Sequence, residues 1–528
     1  LKQPHEWENS MGASIRLFAL LPALLVSQIG EAQVDWRRQV IYLTVLDRFA
    51  NGNSGNDRAH GHADCNDPND RHAYQGGDLE GLSQRLDYIR DLGATTVWLT
   101  PLYQGVPAKQ GANCGFPGYW ADFKFPYSLD LDPRFGQEYE FDQLIGRAHD
   151  RNLRVILDMV VNHAGYHAKL TRDRPEWFMD PIHCSKQGPP EIYCPLAGLP
   201  DFDHRRRDVR DYLIDVHQQW LRRFDFDGIR IDTVKHVEPN YFAEWIARMR
   251  DERPSLYVVG EILDEKYLES FDPYVRTGFD GFFNFPLRSS LIETFAKGNS
   301  VDHVADKIAA TIRHFGEYRA SYMVNLLDNH DVPRFTESIP AEISRQSANA
   351  RYMLALSALM TLPGIPKIYY GNEIGMYGGK DPDNRRFMPD WAFSASGRSR
   401  NYSGFLEDPA KIFGHLRHLL AIRSSHPALQ AGSYTELWRQ NGWQNANVWS
   451  FLRSSKEANS QVIVAINNGN RPPDHPLPIE VGLYFKDGTI FDEVLGQSKT
   501  SSIKVANGRL NLWLEGQSAV ILVPRGSR

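Results

Sequence analysis

Residues 154–163 read RVILDMVVNH, an almost unbroken apolar run whose polar members Asp158, Asn162 and His163 crowd toward its end. Continuous apolar character over so few residues is the pattern of a strand buried on both faces, as parallel strands are. An amphipathic helical stretch precedes it, GQEYEFDQLIGRAHDRN (136–152), and another follows after an irregular segment, VRDYLIDVHQQWLRRF (209–224). Outward from this unit the alternation repeats. VIYLTVLDRF (40–49) and TTVWLTPL (95–102) come before it; FDGIRID (226–232), LYVVGEIL (256–263), GFDGFFNF (278–285), YMVNLLDNHD (322–331) and IPKIYYGNE (365–373) come after. Helical patterns at 79–93, 240–252, 301–315 and 345–362 separate most of these runs. Eight such strands predict an α/β fold, a (β/α)8 TIM barrel, with a doubly wound open sheet as the alternative.

Two stretches break the alternation. Residues 164–203, rich in Pro, Gly and His, predict a subdomain inserted after the third strand. From residue 431 the helical period gives way to short alternating runs (NVWSFLRSS, QVIVAINNG, IEVGLYF, SIKVANGRLNLWL, SAVILVP), which predict a C-terminal antiparallel β-sandwich domain over 431–524. The barrel then occupies 33–163 and 204–430. Residues 11–32 have the layout of a secretory signal peptide: Arg16, an apolar run from Leu17 to Val26, then Gly30 and Ala32. A buried N-terminal helix is the alternative. Residues 1–10 read as vector-derived or upstream-translated, and Leu522–Ser527 resembles a protease-cleavage linker, with 525–528 as its remnant. A secreted or periplasmic protein is expected.

The 528 residues are 42% hydrophobic, 23% charged and 12% aromatic, which excludes disordered, collagenous and coiled-coil chains. A net charge of -6 and the lack of a long Lys/Arg run exclude a phosphate-tracking surface, so no nucleic acid is expected. No membrane is expected after signal cleavage. The 12 Trp, 23 Tyr and 27 Phe suit either a large core or stacking on sugar rings. Four cysteines fit an exported protein; of three possible connectivities, 65–114 with 184–194 is expected, and free thiols remain open.

In a barrel, the side chains that meet substrate come from the C-terminal strand ends. Here those ends carry Asp158 with Asn162 and His163, Arg230 with Asp232, Glu261, and Asp328 with His330 and Asp331. Arg230 and Asp232 are two apart on a strand and point to one side, so Asp232 stays ionised beside a permanent guanidinium. Glu261 has no basic neighbour in sequence and follows an apolar run, which suits a proton donor. An ionised carboxylate facing a protonated one, about 5–5.5 Å away, is the machinery of retaining glycoside hydrolysis.

DMVVNH, GIRIDTVKH, GEIL and LLDNHD resemble, in order, the four signature regions of the α-amylase family of glycoside hydrolases. GYW (118–120), LPDFD (199–203) and DPDNR (381–385) extend the likeness. The resemblance implies Asp232 as nucleophile, Glu261 as general acid/base and Asp331 as the third catalytic carboxylate. It implies sugar contacts from Tyr119, His163, Arg230, Lys235, His236, His330, Asp381 and Arg385. It also implies two structural calcium (Ca2+) ions. One would be held by Asn162, Asp201 and the His236 carbonyl, the other by Asn51, Asn53, Asn56, Asp57, Gly76 and Asp78; a polar turn is the alternative for the second.

Within the family, the cyclodextrin glucanotransferases place an aromatic where Ala197 stands and another where Leu263 stands. They also carry a starch-binding module, and the chain ends after one β-domain. A monomeric endo-acting α-1,4-glucan hydrolase is therefore expected, with a glucanotransferase or a cyclodextrin or branched-oligosaccharide hydrolase as the alternative. A non-catalytic sugar-binding relative would have lost one of the acids, and none is lost here.

Overall fold

Parallel strands β1 (Ile41–Thr44), β2 (Thr96–Leu99), β3 (Arg154–Met159), β4 (Gly228–Ile231), β5 (Tyr257–Gly260), β6 (Gly281–Phe282), β7 (Val324–Leu326) and β8 (Ile365–Tyr369) form one sheet in the computed structural model of this chain. Their order is β6-β5-β4-β3-β2-β1-β8-β7, and every ladder is parallel. The ring closes between β6 and β7: Phe283 bridges Val324, and the Asn284 amide donates to the Val324 carbonyl at 2.8 Å. The barrel reading holds, and the open-sheet alternative does not. The described residues are 34–526 apart from 60–64, 108, 127–129, 442–446 and 497–500. The readings of residues 1–32 as signal peptide and upstream residues lie outside them.

Helices cover the outer face as the apolar periodicity requires. Glu138–His149, Arg207–Arg223 and Pro239–Glu252 bury one apolar face each, while Arg345–Thr361 is buried nearly all round, between the helix Pro409–Ser425 and the C-terminal strands. The expected single helix over 79–93 is two, Leu79–Gln84 and Leu86–Leu92. Arg85 leaves helical geometry between them (φ -108°, ψ 4°), its guanidinium stacked 4.4 Å from the Phe393 ring. No helix among the described residues is long and apolar enough to cross a membrane.

The insertion after β3 is a chain of short helical turns closed by the Cys184–Cys194 disulfide, and Cys65 pairs with Cys114, the pairing expected. The C-terminal strands are β9 (Ser433–Asn441), β10 (Asn447–Ser455), β11 (Ser460–Asn467), β12 (Leu477–Glu480), β13 (Ile490–Glu493), β14 (Ser502–Lys504), β15 (Arg509–Leu512) and β16 (Ser518–Pro524). A six-stranded sheet, β14-β13-β16-β11-β10-β9, faces the β12–β15 pair across a core that includes Val448, Leu452, Ile463, Ile479 and Leu510. Leu522–Pro524 is the end of β16 rather than a linker, with Leu522 buried opposite Ile463. Arg453 of β10, wholly buried, donates to the carbonyls of Thr361 and Gly432 and so pins this domain to the barrel.

Candidate active site

Ladder register builds the floor of the site. β3 and β4 align so that Asp158 lies opposite Arg230, and the period of two brings Asp232 to the same side. Arg230 Nη1 donates to both Asp158 oxygens at 2.9 and 3.1 Å and to Asp232 Oδ1 at 2.7 Å. Its Nη2 stands 2.7 Å from Glu261 Oε1. Glu261 therefore does have a basic partner. Sequence neighbours could not show it, because β4 and β5 meet only through the ladder.

A single guanidinium thus faces three buried carboxylates. Burial pushes Glu261 well above the ordinary carboxylate range; Arg230 pulls the other way, and Asp331 and Asp232 add to the rise. Asp158 is pushed up to about 7, again chiefly by burial.

Asp331 enters from the loop after β7. Arg385 links it to the chain beyond β8: Nη2 lies 3.3 Å from Asp331 Oδ1, Nη1 3.0 Å from Asp381 Oδ1, and Nε donates to the His330 carbonyl at 2.7 Å. Asp232, Glu261, Asp331, Asp381 and Arg385 line one cleft of about 510 Å³, with Tyr119, His163, Lys235 and His236 on its walls. Burial drives His163 below the usual imidazole range, and its Nε2 has no hydrogen-bond partner among the described residues.

Two expected sugar contacts lie deeper. Arg230 is fully buried beneath Asp232. His330 is fully buried too: its Nε2 meets the Tyr119 hydroxyl at 2.7 Å and Asp331 Oδ2 at 3.1 Å, and its ring stacks on Tyr119 at 5.2 Å. His330 thus reaches the cleft through Tyr119 and Asp331 rather than touching it. Tyr119 also donates to Asp158 Oδ2 at 2.7 Å, which makes Asp158 the hub that sequence reading left out of the site. Its place at the head of DMVVNH, on the same face as Arg230, was the available signal.

The expected metal ligands gather in two places. Asn162 Nδ2 donates to Asp201 Oδ1 at 3.1 Å, while Asp201 Oδ2 is buried with no hydrogen-bond partner among the described residues. In the N-terminal loop, Asn51 Nδ2 donates to Asp57 Oδ1 at 3.0 Å, and Asn56 Oδ1 is buried without a partner among the described residues. A Cβ at Gly76 (φ +92°) would fall 2.4 Å from Asn51 Nδ2 and 2.8 Å from Asp57 Oδ1. Asn53 Oδ1 accepts from the Gly55 amide at 3.0 Å. Asp78 is engaged by the loop and by the helix that follows it. Its oxygens accept from the Gly81, Gly52 and Asn53 amides and from Asn56 Nδ2, so it caps the helix Leu79–Gln84 and ties the loop. The side chain of His236 turns elsewhere, its Nδ1 donating to the Glu191 carbonyl at 2.7 Å.

Leu196, Leu199 and Leu263 line the same cleft, as do Phe116 and Trp120. Ala197 sits at φ +52°, a left-handed conformation in which a bulky side chain is strained, and its carbonyl accepts from the Tyr166 hydroxyl at 2.8 Å. The local backbone thus disfavours an aromatic at this position.

The family described as alpha amylase, catalytic domain, matches residues 44–181 and 192–432. A cyclomaltodextrinase of Geobacillus thermopakistaniensis (strain MAS1) is 27% identical over 466 residues, covering 84% of this chain and 71% of its own. The structure of an alpha-amylase from Geobacillus thermoleovorans in complex with acarbose matches with a TM-score of 0.77 and 28% identity, over 93% of this chain and 99% of that one. A cyclomaltodextrin glucanotransferase with a three-domain ABC distribution matches with a TM-score of 0.77 and 26% identity, over 92% of this chain and 99% of that one. A glucanotransferase of that size removes the starch-binding module as a criterion separating hydrolase from transferase. The family match spans both halves of the barrel and every strand end described above, and the chain belongs to the alpha-amylase family of glycoside hydrolases.

Proposed function

We propose that the protein is a retaining hydrolase of internal α-1,4-glucosidic bonds in starch, glycogen or maltooligosaccharides. The observation that carries this is the convergence of Asp232 and Glu261 on Arg230 at the floor of a cleft that Asp331 also lines. Asp232, held through Oδ1 by Arg230, attacks the anomeric carbon. Glu261, kept protonated by burial, passes its proton to the departing glycosidic oxygen. The glycosyl group is then an ester on Asp232. Glu261, now ionised, takes a proton from water, which attacks the same carbon, releases the sugar with its anomeric configuration retained and restores both groups. Asp331, held by Arg385, accepts hydrogen bonds from ring hydroxyls and opposes the positive charge of the oxocarbenium-like transition state. Tyr119 offers the ring face not covered by His330 to the sugar at the reacting bond.

The test is a chromatographic time course on maltoheptaose. A hydrolase yields only shorter maltooligosaccharides. Early longer or cyclic products would mean that a sugar hydroxyl outcompetes water at the Asp232 ester, and the protein would be a glucanotransferase. The left-handed backbone at Ala197, which disfavours an aromatic there, and the aliphatic side chain at Leu263 support hydrolysis.

Structural calcium belongs to the same proposal. Hard oxygen donors from distant segments suit it, and the unpartnered Asp201 Oδ2 beside Asn162, and Asn56 Oδ1 near Asp57, are donors of that kind. Calcium would supply cross-linking charge there and take no part in bond cleavage. Chelation is expected to lower Tm by about 5 °C in scanning calorimetry, and Asp201→Asn to blunt that response. Superimposable scans, with no calcium found by atomic emission in protein purified with the ion, would contradict it. Export to the medium or periplasm completes the proposal, supported by the signal-like residues 11–32 and by the disulfides.

A further inference from the structure

The insertion after β3 reaches two residues that line the cleft, Lys235 and His236. Glu191 sits in the short helix Pro190–Tyr193, inside the loop closed by the Cys184–Cys194 disulfide. Its carboxylate Oε1 lies 3.0 Å from Lys235 Nζ, and its backbone carbonyl accepts from His236 Nδ1 at 2.7 Å. Lys235 and His236 line the cleft, and Glu191 stands behind them. The loop is itself anchored, for Cys184 is buried and Tyr193 packs under the Arg205 guanidinium at 5.4 Å.

We propose that Glu191 is a positioning residue for the leaving-side sugars, acting through Lys235 and His236; this rests on the glucan-hydrolase function proposed above. A carbonyl oxygen can only accept, so His236 Nδ1 donates to Glu191, and this contact fixes the orientation of the ring. Lys235 keeps two N–H donors beyond the one given to Glu191. The pair therefore presents two restrained polar groups to the hydroxyls of the leaving-side sugars. A lysine on its flexible four-carbon stem holds such a place only if something restrains it, and the restraint here is Glu191. The disulfide limits how far the loop can carry Glu191 away from both partners.

The experiment compares kcat/KM on maltoheptaose, which fills the leaving side with sugars, and on 2-chloro-4-nitrophenyl α-maltotrioside, whose leaving group is an aryl ring. Wild-type turnover of both substrates tests the hydrolase function; the ratio of the two constants tests Glu191. Glu191→Gln is expected to lower that ratio about threefold to fivefold, chiefly through KM, as loss of a part-exposed ion pair does. Glu191→Asp is expected to restore part of it, and the double variant Cys184→Ser/Cys194→Ser to lower it at least as far as Glu191→Gln. An unchanged ratio in Glu191→Gln, or equal losses on both substrates, overturns the proposal.

Discussion

Replacing Asp232 by Asn is expected to lower kcat on maltoheptaose by about 10⁴-fold or more. The amide cannot form the glycosyl ester, so the lost step costs about 5.5 kcal/mol of transition-state stabilisation. The fold should not suffer in proportion. Arg230 keeps Asp158 at 2.9 Å and Glu261 at 2.7 Å, and the substituted side-chain amide still offers Nη1 a carbonyl acceptor. Initial rates paired with calorimetry separate the two effects. A Tm near that of the wild type with activity abolished is the expected outcome; a variant that keeps even a hundredth of the rate would remove Asp232 from the role assigned to it.

Glu261→Gln is expected to lower kcat on maltoheptaose by about 10³-fold, because a sugar alkoxide cannot leave unprotonated. On the aryl maltotrioside, whose phenolate departs without a proton, the loss in the first step should be far smaller. The pH profile gives an independent reading. Burial holds Glu261 above its ordinary value of 4.5, so its proton-donating form persists as pH rises and is lost only above that value. The wild-type alkaline limb of kcat/KM should therefore lie well above pH 4.5 and be absent from Glu261→Gln. A limb at or below 4.5, or one that survives in the variant, would contradict the assignment.

The barrel was legible because its signals are local. Each buried strand is an apolar run, and its chemistry-bearing residues fall at the run's end, as in RVILDMVVNH and GIRID. Contacts made across the ladder were not legible. The Arg230–Glu261 approach joins β4 to β5, and the burial of His330 depends on Tyr119 arriving from a loop more than two hundred residues earlier in the chain. The capping role of Asp78 was not legible either, since a carboxylate in an Asn/Gly loop gives no sign that it also caps the helix Leu79–Gln84. In the β-domain, β9 escaped notice because SYTELWRQN is mostly polar, although it pairs with β10 along its length. VGLYF was expected within a strand, but β12 ends at Glu480 and the chain turns there, leaving Leu483 and Tyr484 exposed. Glu191 carried no signal at all; its meaning comes from a loop folded onto Lys235 and His236.

The central claim is that the reaction passes through a covalent bond to Asp232. It is tested most directly by incubating the protein with a 5-fluoro-α-maltosyl fluoride, which forms the glycosyl ester quickly and releases it slowly, and reading intact mass followed by peptide mapping. The account predicts one added glycosyl unit, located on the peptide containing Asp232 and absent from Asp232→Asn. A label on Glu261 or Asp331, or turnover of the fluoride with inverted anomeric configuration and no adduct, would contradict it.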